Sequence, residues 1–170
     1  MSARVTALAC VSEDWGIGKS GQLLYHIKPD LERFRWLTTG QVVIMGRKTL
    51  ESLPAGRPLP SRSNWVLSRT MGKTPGVKVI SDLTKLDKLL AKEKQAVYVI
   101  GGDEIYKLLL SRCQYANLTV VKATRSADSF FPNLDRLPEW RQIGNSPVRI
   151  DEATGLEYQF VRYKKFGDLR

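Results

Sequence analysis

Short apolar runs, rich in β-branched residues, recur along the chain at 5–11, 42–45, 65–68, 77–80, 97–100, 118–121 and 158–163. Each has the length of a strand. Several show no polar alternation, the pattern of a strand covered on both faces. Between them, stretches with helical spacing occupy 29–39, 48–53, 83–92 and 103–111. Strands alternating with helices across short connections predict an α/β fold: a mainly parallel central sheet of about eight strands, flanked by about four helices. The C-terminal end departs from this rhythm. Runs at 140–143 and 158–163 bracket a polar stretch, 145–156, without helical period, which predicts an antiparallel pair closing the sheet. No repeat or Pro/Ser-rich linker interrupts residues 1–170, so a single domain is expected.

Composition agrees with that picture and narrows it. Of 170 residues, 42% are hydrophobic and 26% charged, which suits one globular core and argues against disorder. No apolar run approaches the roughly 18 residues of a membrane span, and the N-terminus shows no leader pattern. Cys10 and Cys113 form no CxxC pair and read as reduced, buried thiols of a cytoplasmic protein. His26 is the only histidine, so no metal is expected. No apolar stripe is left over for a partner chain, and a monomer is expected.

Charge changes the picture more. The formal net charge is +10, and residues 47–78 carry seven cations against Glu51 alone. That bias fits a solvated basic face as well as a site for an anion. Aromatic residues are not interleaved with these cations as single-strand nucleic-acid binding requires, so a small polyanion is favoured.

Three segments place glycine at the end of a strand, where open α/β sheets bind ligands: Gly16-Ile17-Gly18-Lys19-Ser20-Gly21, the run from Val42 to Thr49, and the run from Val97 to Tyr106. Gly101-Gly102 permits close backbone approach to a phosphate, or makes a tight turn. Gly46-Arg47-Lys48-Thr49 offers two cations and a hydroxyl to a pyrophosphate, or caps a helix with solvated cations. Neither matches GxGxxG or the P-loop. Leu67-Ser68-Arg69 adds a hydroxyl and a guanidinium. Asp30 shares a helix face with Ile27, Leu31, Phe34 and Leu37; following Pro29, it also suits a first-turn acid facing the helix dipole.

In order, Gly-Ile-Gly-Lys-x-Gly, Pro-Asp-x-x-x-Phe, Val-Ile-Met-Gly-Arg-x-Thr-x-Glu-Ser, Gly-Arg-Pro-Leu-Pro-x-Arg-x-Asn, Leu-Ser-Arg and Val-Ile-Gly-Gly-x-x-x-Tyr resemble dihydrofolate reductase from about Thr6 to Tyr163. The resemblance implies NADPH as cofactor and dihydrofolate as substrate, with no nucleic acid and no membrane. It implies that Asp30 is the ionisable group of the pterin pocket, supported by Thr119 and by Tyr25. Leu8, Cys10, Phe34, Ser52, Leu53, Leu59, Ile100 and Tyr106 would border the substrate, and Arg62 would grip its glutamate carboxylate. The cofactor would meet Cys10, the loop of Ile17, Gly18, Lys19, Ser20, Gly21 and Gln22, then Gly46, Arg47, Lys48 and Thr49. Ser68 and Arg69 would hold the 2′-phosphate with Arg47, and Leu67, Ile100, Gly101, Gly102, Asp103, Glu104, Ile105 and Tyr106 would complete the cofactor site. Residues 16–23 would form a mobile loop, with Asp128 as the acid on the neighbouring loop.

Two departures stand out. Many relatives carry Pro-Trp where this chain has Leu24-Tyr25, so the loop hinge loses proline's fixed φ and altered affinity for pterin-like inhibitors is expected. Glu104 sits where a neutral or basic side chain suits a phosphate better. The alternatives are the pyrimidine reductase of riboflavin biosynthesis, which shares this fold and NADPH, and a basic nucleic-acid-binding module.

Overall fold

A computed structural model describes residues 3–167; the ends of the expected domain, residues 1–2 and 168–170, lie outside them. The elements run β1 (Val5–Val11), β2 (Gly16–Lys19), β3 (Gln22–Leu23), α1 (Lys28–Thr38), β4 (Val42–Gly46), α2 (Arg47–Ser52), β5 (Ser63–Leu67) and β6 (Val77–Ile80). They continue with α3 (Leu83–Lys92), β7 (Val97–Val99), α4 (Asp103–Leu109), β8 (Tyr115–Val121), β9 (Ser129–Phe130), β10 (Trp140–Asn145), β11 (Arg149–Ile150) and β12 (Glu157–Lys165). Short 3₁₀ turns occupy Pro54–Gly56, Leu110–Arg112 and Leu134–Arg136.

The main sheet has nine strands in the order β10-β12-β8-β1-β7-β4-β5-β6, with β11 paired to β12. The block from β8 to β6 is parallel. β12 runs antiparallel to β8, β10 and β11, closing the sheet as the polar stretch before it predicts. The four helices fall close to the expected segments, and α3 matches its segment at both ends.

The unbroken apolar runs are explained by cover on both faces. In β4, Val42 and Ile44 join one cluster with Leu86 and Leu90 of α3 and Tyr106 and Leu109 of α4. Val43 and Met45 join another with Leu50 of α2 and Val66. Alternate residues of a strand point to opposite faces, so α3 and α4 cover one side and α2 the other. The chain reverses sides around β1, which has β7 on one flank and β8 on the other. That reversal opens the crevice where such sheets hold ligands.

The segment 16–23, expected as a mobile loop, carries short strands that the sequence did not mark: β2 and β3 form a hairpin, and β2 pairs with β9 to make a separate three-stranded antiparallel sheet. The strands are too short for period-2 patterning to register, and glycines at Gly16, Gly18 and Gly21 masked them. Close packing accounts for two of these: a Cβ on Gly18 would sit 2.9 Å from the Gln22 carbonyl, and one on Gly16 would sit 2.9 Å from the Ser12 hydroxyl.

Burial separates what the core tolerates from what the surface tolerates. Ile44 is 0% exposed and Ile150 is 64% exposed. Ile44→Ala is expected to cost about 2–5 kcal/mol, and Ile150→Ala to stay within about 0.5 kcal/mol. Urea unfolding midpoints of the two variants check this; similar shifts would contradict the layering.

Candidate active site

α1 begins without a side-chain cap: Ile27 occupies the N-cap, and Pro29 sits in the first turn, where its missing N–H costs nothing. Asp30 follows it. The carboxylate does not cap the helix but reaches to the sheet, where the Thr119 hydroxyl donates to its Oδ1 at 2.5 Å. Cys10, Thr119 and Phe160 stand side by side on β1, β8 and β12, so α1 lies across a defined row. One turn on, Arg33 places its guanidinium 4.5 Å from the centre of the Phe160 ring. The face of α1 that packs inward is therefore Asp30, Arg33, Phe34 and Thr38, while Leu31 is 45% exposed. Leu31, placed on the inward stripe from its spacing, lies one residue off it.

Burial raises the Asp30 pKa; the Thr119 hydrogen bond and, after it, the Arg33 charge pull it back down. Desolvation penalises the charged form more than these two favour it. Cys10 is only half-buried, which corrects the expectation of two buried thiols. Its pKa is pushed up by burial and by the neighbouring Asp30 charge. Cys113 is buried, and its pKa is pushed up to about 12.

Leu8 is buried, and Phe34, Leu53, Leu59 and Ile100 are half-buried. Leu53, Leu59 and Ile100 pack together against the Val43–Met45–Leu50 cluster. Ser52 is exposed and donates to the Thr49 carbonyl. Tyr106 is fully enclosed and its hydroxyl donates to the Leu8 carbonyl; burial pushes its pKa up. Of the expected substrate-facing residues, Asp30, Cys10 and Thr119 thus come together across α1, β1 and β8, and Leu53, Leu59 and Ile100 in a second group. Tyr25 is buried, but its hydroxyl has no hydrogen-bond partner among the described residues.

Arg62 is positioned by a staple. The buried Asn64 carboxamide accepts from the Leu59 N–H and donates to the Leu59 and Arg62 carbonyls. Arg62 then donates to the Pro60 carbonyl at 2.8 Å and to the Thr38 hydroxyl at 3.2 Å. With Arg35, Thr39, Pro60 and Ser61 it lines a surface cleft of about 360 Å³. Burial and the Arg35 charge both lower its pKa. Two guanidinium groups on one cleft suit a carboxylate. In the sequence, Arg33 and Arg35 have no assigned role, although their i+3 and i+5 spacings from Asp30 are the available signal, and Asn64 is marked only as the end of a motif.

The two glycine segments meet. The Gly46 N–H donates to the Gly101 carbonyl at 2.9 Å, and a Cβ on Gly102 would lie 3.6 Å from the Thr49 hydroxyl. The Gly101–Gly102 peptide is cis, with Gly101 at φ 121°, a conformation that favours glycine. Asp103 and Ile105 are half-buried, and Glu104 is exposed at the start of α4. Arg47 is not a free cation: it pairs with Glu51 at 2.6 Å, one helical turn away. Lys48 and Arg69 are exposed. Leu67 is half-buried against the core, and the Ser68 hydroxyl accepts from the Thr70 and Met71 N–H groups.

In the small sheet, Ile17 is buried, Gly18 half-buried, and Lys19, Ser20, Gly21 and Gln22 exposed. The Ser20 N–H donates to Asp128 at 2.9 Å, and Lys19 donates to the Ser126 hydroxyl. Asp128 thus touches the hairpin as expected. Among the described residues, no three His, Cys, Asp or Glu side chains gather as metal ligands would, and no helix is long and apolar enough to cross a membrane.

A family model for dihydrofolate reductase matches residues 4–165. Dihydrofolate reductase of Neisseria gonorrhoeae is 35% identical over 94% of this chain and 97% of its own. That of Haemophilus influenzae is 37% identical over 85% and 88%. The structure of the Enterococcus faecalis enzyme, complexed with NADP(H) and RAB-propyl, superimposes with a TM-score of 0.87 at 26% identity, covering 97% of this chain and 99% of that one. An acid on a helix bonded to a strand hydroxyl, paired glycine turns and an unbroken match from residue 4 to residue 165 leave one conclusion: the chain belongs to the dihydrofolate reductase family.

Proposed function

We propose that this chain reduces 7,8-dihydrofolate to tetrahydrofolate with NADPH, so supporting one-carbon metabolism. The observation that carries the reading is the half-buried Asp30 carboxylate, bonded to Thr119 within a fold matched almost end to end by that family. The match also leaves the riboflavin-pathway reductase without support.

In this reading the pterin lies against Leu8, Cys10, Phe34 and Ile100, and Asp30 accepts hydrogen bonds from its 2-amino group and N3. Thr119 fixes which way the carboxylate faces. The raised pKa of Asp30 lets it carry a proton closer to neutrality than an exposed aspartate, which polarises the ring for protonation at N5 by water. Tyr25 brings a buried hydroxyl to the same side of the acid, through Cys10. Phe34, Leu53 and Leu59 sandwich the aminobenzoyl ring, and Arg62 with Arg35 holds the glutamate carboxylate.

NADPH, when bound, supplies the hydride that goes to pterin C6. The residues present fit it. Gly46 and Gly101 meet through a backbone hydrogen bond, with Gly102 beside the Thr49 hydroxyl and no room for a side chain at Gly46, where a Cβ would lie 3.0 Å from Ile105, and the exposed Lys48 and Arg69 add charge for its phosphates. Arg47 joins them only by leaving Glu51. The β2–β3 hairpin covers the nicotinamide and keeps bulk water out. Exposed large apolar residues are spread over α1, α4, the small sheet and the C-terminal segment, which supports a monomer; in this reading it acts in the cytoplasm on small molecules, without nucleic acid or membrane.

Asp30→Asn is expected to lower kcat about 10²- to 10⁴-fold at neutral pH, read as loss of NADPH absorbance on adding dihydrofolate. Full rate in this variant would refute the role of Asp30. The same variant tests the pKa shift. A carboxyl whose pKa is raised by folding favours the folded state while protonated, and that stability is lost as pH rises from the unfolded value of about 3.9 through the raised one. Asp30→Asn removes this loss, so its melting temperature should exceed that of the wild type near pH 7, with the gap closing below about pH 4. An equal or lower melting temperature at pH 7 would contradict the shift.

Arg62→Leu should raise KM for dihydrofolate about 10- to 100-fold with little change in kcat, the scale of a charge-assisted hydrogen bond. A dihydropteroate substrate lacking glutamate should show no such increase. Equal effects on both substrates would place the carboxylate elsewhere.

A further inference from the structure

Leu24 and Tyr25 carry the chain out of the β2–β3 hairpin towards α1. Both are buried, at 9% and 2% exposure, although the neighbouring Leu23 is 51% exposed. The backbone here has little stiffness of its own: the Leu24 N–H donates to the Ile17 carbonyl across a long 3.3 Å, and no proline ring fixes its φ. The Tyr25 hydroxyl, unpartnered among the described residues, anchors nothing.

What grips this exit comes from a hundred residues further along. Arg125, on the connection between β8 and β9, donates from Nη1 to the Leu24 carbonyl at 2.5 Å. Its guanidinium carbon also lies 4.5 Å from the centre of the Tyr25 ring. One planar cation therefore holds two consecutive residues, the first by its main chain and the second by its ring face, a pairing open to arginine and poorly matched by lysine. Arg125 takes part in none of the ion pairs among the described residues. Tyr25 in turn packs with Ile27, Val121 and Tyr158 and against Cys10, which neighbours the acid.

We propose that Arg125 latches the root of the 16–25 segment, holding Leu24 and Tyr25 beside the acid and thereby setting how long the hairpin stays closed over the site. Ser20–Asp128 and Lys19–Ser126 tie the tip of the same segment, and Arg125 ties its base. It is a positioning residue, since it acts through Leu24 and Tyr25. The inference rests on dihydrofolate reduction being the activity.

The test compares wild type, Arg125→Ala and Arg125→Lys by KM for NADPH, by single-turnover hydride transfer and by thermal melting. In Arg125→Ala, KM for NADPH should rise and single-turnover transfer fall about tenfold, equivalent to about 1.4 kcal/mol. Melting should move by only a few degrees. Ethylguanidinium at millimolar concentration should restore part of the lost rate, and Arg125→Lys, which keeps the hydrogen bond without the planar stack, should fall between the two. Unchanged KM and rate in Arg125→Ala overturn the latch, as does a loss that follows melting temperature and that ethylguanidinium leaves untouched. A wild-type protein that fails to oxidise NADPH with dihydrofolate overturns the activity instead, so the two failures are told apart.

Discussion

The hydrogen bond from Thr119 to Asp30 joins the two halves of the site, and its setting decides what the acid can do. A carboxylate in apolar surroundings prefers to take up a proton, whereas a carboxylate in water gives it up. Asp30 stands between these limits: burial raises its pKa, and one hydroxyl and one guanidinium restrain the rise. The helix supplies the side chain, the sheet supplies the restraint, and neither alone produces the intermediate state.

The architecture follows from keeping that setting dry and open at once. β1 lies between β7 and β8, with α1 across the row formed by Cys10, Thr119 and Phe160. On the other side of the crevice, β4 and β7 end together, which sets Gly46 against Gly101. The acid, carried by α1 and bonded to β8, and the glycine cradle at the ends of β4 and β7 thus lie on either side of β1, held by one sheet and the helix packed on it rather than by loops alone. Loops carry the parts with more latitude: the Asn64-stapled turn bearing Arg62, and the hairpin over the top.

Much of this was legible in the sequence, for identifiable reasons. Val42–Met45 has no polar interruption because both its faces are covered, and a run of that kind declares a central strand. Asp30 declared itself by standing on an apolar face where an acid needs a partner. The partner Thr119 was named through family resemblance, since no local pattern links residues 89 apart. β2, β3 and β9 were illegible because two to four residues carry no period, and the glycines in and beside β2 imitate a loop. Leu31 misled because a one-residue step around a helix turns a side chain by 100°. The Arg47–Glu51 pair is readable at its four-residue spacing, and it occupies a cation that the sequence alone also offers to a phosphate. Arg125 announced nothing: its meaning depends on a carbonyl and a ring contributed by the other end of the chain.

The small sheet carries a consequence for how the protein comes into being. β2 pairs with β9, Gly16 opposite Phe130, and β1 pairs with β8, Cys10 opposite Thr119. As the chain leaves the ribosome, the N-terminal residues must wait for partners more than a hundred positions behind them. Non-local pairings of this kind are slow to form and leave strand edges open meanwhile. A nascent chain stopped before residue 119 holds Asp30 with no hydroxyl to receive it, and the hairpin with no third strand to lie against. Ligand-binding competence therefore arrives late in synthesis and all together.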